Sequence, residues 1–243
     1  MSRDLESRTI FIAGASSGMG RATAIACARA GAALILLGRN KAALDMTAAL
    51  VRDAAPNCKA AATLAADASD AAALAQVVSG VDLSMVDTLV NSVGTNIPER
   101  AFDQLTSDSW AQMIDSNLTA AFNLSKVFLP KMRVRKNGLI IHIASTAARK
   151  PDKSGAAYQA TKAGVLSLTH ALMEEEWQNG IRASAILPGM TDTPLLDRRP
   201  TPVTPEARAS ALRPEDVAAA CLFIMRLPPR AHVAELHIGP SQR

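Results

Sequence analysis

Aromatic residues make up only 3% of this 243-residue chain, and a single tyrosine, Tyr158, is among them. A core must therefore be built from Ala, Leu, Val, Ile and Met. The 49% hydrophobic fraction supplies enough of these to need no disulfides. The three cysteines, Cys27, Cys58 and Cys221, are odd in number and widely spaced, with no C-x-x-C pair. That pattern excludes a disulfide framework and a thiolate metal site, and reads as free thiols in a reducing compartment. His142, His170, His232 and His237 do not cluster, so no metal is expected. No apolar run approaches ~18 residues, so no membrane span is expected. The polar, charged stretch Met1–Glu6 does not read as a signal peptide. The net charge of +4 comes without a dense Lys/Arg run. Nucleic acid is therefore not an expected partner, whereas small anionic ligands are compatible. These absences together lead to the expectation of a cytoplasmic protein.

What is present is an alternation of short apolar runs with longer helical patterns. Strands are expected at Thr9–Ala13, Ala33–Leu37, Lys59–Ala65, Val86–Asn91, Leu139–Ile143, Ile181–Leu187 and Val233–Ile238. Helices are expected at Met19–Ala30, Asn40–Ala54, Trp110–Lys136, Gly155–Gln178 and Arg213–Met225, with Pro130 a kink or break in the third. Alternation of this kind predicts an α/β fold: a three-layer Rossmann arrangement, a doubly wound parallel sheet of about seven strands, in one domain over residues 1–243. The irregular stretch Thr191–Leu212, rich in Pro, Thr and Arg, follows a strand's carboxyl end, where open α/β sheets bind ligands. It is expected to be a substrate flap.

Gly14-Ala15-Ser16-Ser17-Gly18-Met19-Gly20 joins the first strand to the first helix. A glycine turn lets the backbone approach a pyrophosphate, and the helix start offers unpaired N–H groups and a positive dipole end. Nucleotide binding is the expectation. After the second strand, Leu37-Gly38-Arg39-Asn40 lacks the acidic residue that holds ribose hydroxyls in NAD sites. Arg39 is instead suited to a 2′-phosphate. NADP(H) is thus favoured, with NAD(H) the alternative.

Tyr158 stands four residues before Lys162, so on a helix the two share a face. A free phenol titrates near ~10, too high for proton transfer near neutral pH. A neighbouring ammonium favours the phenolate and is expected to pull the midpoint down. The bland alternative is an ordinary helix-surface pair.

These motifs, in this order and spacing, resemble the short-chain dehydrogenase/reductase family over about residues 8–239. The resemblance implies a dinucleotide motif from Gly14 to Gly20, with Ala13 where Thr is usual. It implies that Asp67, with Ala68 following, faces the adenine. Asn91-Ser92-Val93-Gly94 corresponds to the family's Asn-Asn-Ala-Gly segment, which supports the sheet and lines the cofactor through Asn91 and Gly94. Loss of the usual residues at Ala13 and Ser92 is expected to weaken a tie between the turn and the fourth strand. Pro188-Gly189-Met190-Thr191-Asp192-Thr193 matches the segment that embraces the nicotinamide, implicating Pro188, Gly189, Met190 and Thr193. The C-terminal run Ala211–Val217, with the short tail Leu227–Arg230 after it, looks like the branch that oxidises 3-hydroxy acids and serine-like substrates with NADP.

The resemblance further implies a catalytic set of Asn117, Ser145, Tyr158 and Lys162. Tyr158 would be general acid for carbonyl reduction and base for alcohol oxidation. Lys162 would lower its pKa and hold the nicotinamide ribose. Ser145 would donate a hydrogen bond to the substrate oxygen, and Asn117 would fix a water linking Lys162 to solvent. A carbonyl or alcohol of an oxo or hydroxy acid, or a related small molecule, is the implied substrate. The rival is a non-catalytic nucleotide sensor on the same fold. Arg100, Arg149, Lys150, Lys153, Arg198 and Arg199 form either a basic rim for an anionic substrate or solvated loop charge. A homo-oligomer, dimer or tetramer, is expected through the apolar residues Ala120, Ala121, Phe122 and Leu124 and Val165, Leu166, Leu168 and Leu172.

Overall fold

A computed structural model describes residues 4–58 and 62–241. Seven parallel strands form one sheet in the order β3-β2-β1-β4-β5-β6-β7. They are β1 (Thr9–Ala13), β2 (Ala33–Gly38), β3 (Ala62–Ala65), β4 (Val86–Asn91), β5 (Gly138–Ile143), β6 (Ile181–Pro188) and β7 (Glu235–Ile238). The helices are α1 (Gly18–Arg29), α2 (Lys41–Ala54), α3 (Ala71–Val78), α4 (Ser107–Ile114), α5 (Ala120–Arg135), α6 (Ala156–Glu176), α7 (Pro205–Ala209) and α8 (Pro214–Arg226). The strand order reverses between β1 and β4, and the crevice at their carboxyl ends is where this architecture places a ligand.

Strand alternation divides the core into two layers. Ile10 and Ile12 of β1 pack with Leu34, Leu36, Ile141 and Ile186 on the side covered by α1, α2 and α8. Phe11 and Ala13 pack with Ile35, Leu37, Leu89 and Ile140 against α5. Aromatic scarcity is met by small residues: α1 buries Gly20, Ala22, Ala24 and Ala28. Among the described residues the one aromatic pair is Phe11 with Phe128 in the core, ring centroids 4.7 Å apart.

Several sequence expectations need correction. The expected third strand is four residues long, Ala62–Ala65, and its first three positions lie outside the described residues. Helix α3 was not expected; Asp70 caps it by accepting from the Ala72 and Ala73 amides. The stretch 110–136 is helical as expected, running without a break from Ser107 to Arg135, but it is not a uniform α-helix. It is α4, then a π-helical turn at Asp115–Thr119, then α5. Pro130 does not end α5, which runs on to Arg135. Both Pro130 and Lys126 face outward, so the carbonyl that Pro130 cannot serve is left to water. The flap region holds a 3-10 turn (Pro194–Arg198) and α7, and its ends are joined by a bridge between Thr191 and Leu212. Of the residues expected to pair copies of the chain, Ala120, Ala121, Leu124, Val165, Leu166 and Leu172 are buried in the core; Phe122 is exposed.

His142 on β5 is fully buried. Its Nδ1 lies 3.0 Å from Asn91 Nδ2 and its Nε2 3.2 Å from Ser125 Oγ. The Asn91 amide can only donate, so Nδ1 accepts, and Nε2 carries the proton and donates it to Ser125. Burial, aided by the Lys162 charge, holds His142 down at about 4. A depressed folded pKa gives stability that is present above the unfolded value, near 6.5, and is lost as pH falls toward 4. Urea titrations followed by tryptophan fluorescence should therefore show stability falling from about pH 6.5 to 4.5. The fall should be shallower in His142→Gln; equal slopes in the two proteins would refute a buried neutral imidazole.

Candidate active site

The turn from β1 to α1 is shaped by contacts rather than by propensity. Gly14 has φ +78°, and a Cβ there would lie 2.6 Å from the Ser92 carbonyl carbon. Only glycine meets both demands. Gly20 packs against the Gly14 carbonyl, which a Cβ would approach to 2.2 Å. It therefore shapes the turn from behind. The tie to β4 persists despite Ala13 and Ser92, because it is a backbone bond from Ser92 N to Ala13 O, 2.9 Å. Arg21 pins the turn from below, donating to Ser16 O and to Thr47 Oγ1.

Above the turn is a cleft of about 250 Å³ lined by Gly14, Ser16, Ser17, Gly18 and Met19, by Gly38 and Arg39, by Asp67 and Ala68, by Gly94 and by Thr193. Two features fit it to a dinucleotide. Ser16 Oγ is buried with no hydrogen-bond partner. The start of α1 has no side-chain cap, so its amides are available to an anion. At the far end Arg39 pairs loosely with Asp67, 3.6 Å apart, and both side chains are well exposed. Burial raises the Asp67 pKa, but the Ser69 backbone and hydroxyl bonds and Arg39 outweigh it and leave the carboxyl below its ordinary value. Asn123 on α5 holds this loop through the carbonyls of Ala68 and Ser69. Asn91 does not line the cleft. Its side chain is committed to His142 and to the Val93 amide, so it braces β4 against β5.

The cleft continues into a second cavity of about 100 Å³. Ser145, Tyr158, Pro188, Gly189, Met190 and Thr193 line it, together with Asn96, Arg100, Asp152 and Arg199. Ser145 and Tyr158 share its wall, and the Ser145 hydroxyl acts to lower the pKa of the phenol. Lys162 lies behind Tyr158, its Nζ 5.8 Å from the ring centroid, and donates to the Ile143 carbonyl at 3.1 Å. Gly94 leaves room for this lysine: a Cβ there would sit 2.9 Å from Lys162 Nζ and 3.5 Å from Asn117 Oδ1, so the ammonium would have to shift.

Asn117 comes from the π-helical turn, where the Ala120 amide reaches back five residues to Asp115 O. Such bulges recur at functional sites because the widened turn redirects side chains. Its Oδ1 accepts from Thr95 N, and its Nδ2 donates to Thr95 O and Thr161 Oγ1. Both amide hydrogens are used, so the side chain has no donor left for a water. Thr95 and Thr161 belong to no motif; only the fold reveals them.

The expected depression of the Tyr158 pKa is not found. Burial pushes the phenol up to about 12, against the Ser145 hydrogen bond, which lowers it. Lys162 is itself drawn down to about 8 by burial. Its ammonium points to the Ile143 carbonyl, and a cation that loses its charge so readily stabilises a phenolate weakly. The basic rim is also smaller than expected. Arg149 is drawn off by Glu235, Arg198 donates to Thr95 Oγ1, and only Arg100 and Arg199 line the Tyr158 cavity.

Residues 8–203 match the family model for short chain dehydrogenase. An uncharacterized oxidoreductase of Staphylococcus haemolyticus is 31% identical over 237 residues, covering 98% of this chain and 99% of the relative. Levodione reductase superposes with a TM-score of 0.90 at 25% identity, covering 98% of each chain. The closed form of serine dehydrogenase complexed with NADP+ superposes with a TM-score of 0.86 at 26% identity, covering 97% of this chain and 96% of that one. With its seven-stranded parallel sheet and glycine turn, the chain is an oxidoreductase that belongs to the short chain dehydrogenase family.

Proposed function

We propose that the protein interconverts a small carbonyl compound and its secondary alcohol, using NADP(H), with Tyr158 as general acid and base. The observation that carries this reading is that Ser145 and Tyr158 line one cavity, which shares Met19, Thr193 and Leu195 with the glycine-turn cleft. A nicotinamide dinucleotide bound there would supply or accept the hydride. Ser16 and the start of α1 would hold its pyrophosphate, Asp67 its adenine, and Arg39 its 2′-phosphate. Lys162 has three N–H donors and gives one to Ile143 O, which leaves two for the ribose hydroxyls.

In reduction, Ser145 donates to the carbonyl oxygen where negative charge grows. Tyr158 then gives its proton to that oxygen and becomes a phenolate. Lys162, near 8, is poised to return a proton around neutral pH. In oxidation the phenolate takes the alcohol proton. Asn117 acts through its backbone ties to Thr95 and its bond to Thr161, holding the floor on which Lys162 rests. The weak Arg39–Asp67 contact favours NADP(H): an exposed ion pair is worth ~0–1 kcal/mol, so Arg39 is released to a phosphate at little cost.

Three outcomes are expected. Tyr158→Phe should lower turnover by about 10²–10⁴-fold, while NADPH still binds by fluorescence; unchanged turnover would remove Tyr158 from the chemistry. Arg39→Ala should raise the dissociation constant and KM for NADPH by about 10-fold or more, and far more than for NADH. Equal effects on the two cofactors would count against the phosphate contact. The third concerns pH. A phenol held at about 12 stays protonated across neutral pH, so kcat/KM for reduction should be level there, and that for oxidation should rise with pH. Initial rates in both directions from about pH 6 to 10 measure this, and an oxidation rate that fell with rising pH would contradict Tyr158 as the base.

A further inference from the structure

The cavity in front of Tyr158 contains a cation with no partner. Arg199 follows the 3-10 turn Pro194–Arg198, and its amide is fixed by the Leu196 carbonyl at 3.1 Å. Its side chain is half-buried, lines the cavity, and makes no hydrogen bond or ion pair among the described residues. Neighbouring arginines are engaged. Arg208 holds Asp192 and Asp197, Arg198 holds Thr95 Oγ1, and Arg100 donates to the Ile97 and Arg198 carbonyls. A guanidinium withdrawn from water without an acceptor is costly unless a ligand supplies one.

We propose that Arg199, backed by Arg100, anchors a carboxylate on the substrate, so that the enzyme acts on oxo acids and hydroxy acids. This rests on the oxidoreductase reading above and names its substrate class. Both arginines line the cavity that holds Tyr158, so both face a ligand bound there. Asp152 is the one acid on the cavity wall. One of its oxygens accepts from Ser154 N, and its charge bears on Arg100, so Arg199 is the cation left without compensation.

Met19, Met190, Leu195 and Leu196 supply an apolar wall for the acid's carbon body. Arg199 also sits on the flap, which Arg100 and Arg198 tie down through Arg198 O and Thr95 Oγ1. A carboxylate bound to Arg199 thus fastens the flap over the substrate.

The test compares kcat/KM with saturating NADPH for 2-oxobutanoate and 3-oxobutanoate against their methyl esters, in wild type, Arg199→Gln and Arg199→Lys. The wild type should prefer the acids. A charge-assisted contact predicts that Arg199→Gln lowers the acid-to-ester ratio by about 10–100-fold, chiefly through the acid's KM. Arg199→Lys should keep an intermediate ratio. The NADPH dissociation constant, read by fluorescence, should stay within about twofold in both variants, because Arg199 lies outside the glycine-turn cleft. A ratio unaffected by Arg199→Gln overturns the anchor, as does acid and ester activity falling together. A wild type that reduces esters and ketones as well as acids overturns the anchor alone. A wild type that binds NADPH yet reduces no carbonyl overturns the oxidoreductase reading with it.

Discussion

An ammonium almost wholly out of water is the constraint around which this site is built. Lys162 is 4% exposed and has one protein acceptor, the carbonyl that ends β5. Withdrawing such a charge is costly, and its depressed pKa measures the cost. The surroundings are arranged to keep it in place. Gly94, with no side chain, leaves room for it. The π-helical turn brings Asn117 to the same point, and Asn117 spends its amide on Thr95 and Thr161. Two lysine donors remain beyond the one given to Ile143 O.

The same threonine links this buried group to the surface. Thr95 receives Asn117 through its backbone and Arg198 through its hydroxyl. Arg100 in turn grips the Arg198 carbonyl. The flap is therefore tied by named bonds to the floor beneath Lys162, and its position is coupled to the geometry of the candidate catalytic groups. Arg208 secures the other side of the flap by joining Asp192 and Asp197. What the flap then presents to the cavity is a single unsatisfied guanidinium.

Much of this was legible from the chain. The strand runs, the glycine turn and the Tyr158–Lys162 spacing each report local chemistry that survives folding: period-2 burial, positive φ, one helix face. Asp70 before an alanine run was also a readable helix signal, missed because the run lacks the polar positions that mark an amphipathic helix. The π-helical turn was not readable. Nothing in Asp115–Thr119 demands an extra residue in the turn; the need to bring Asn117 to Thr95 does. Pro130 misled because its cost depends on whether the orphaned carbonyl meets water, and that is a property of the folded surface.

The residues themselves determined the sheet, its parallel sense and which side chains bear chemistry, because apolar periodicity and backbone sterics act over a few positions. Tertiary structure decided the electrostatics. Whether a phenol is acid or base, whether a histidine is charged, and which arginine lacks a partner depend on distance and on exclusion of water. Both come from segments far apart in the chain. Tyr158, four residues from a lysine in sequence, is governed by its burial in the fold; Arg199, one cation among many in the sequence, is the one its neighbours leave unpaired.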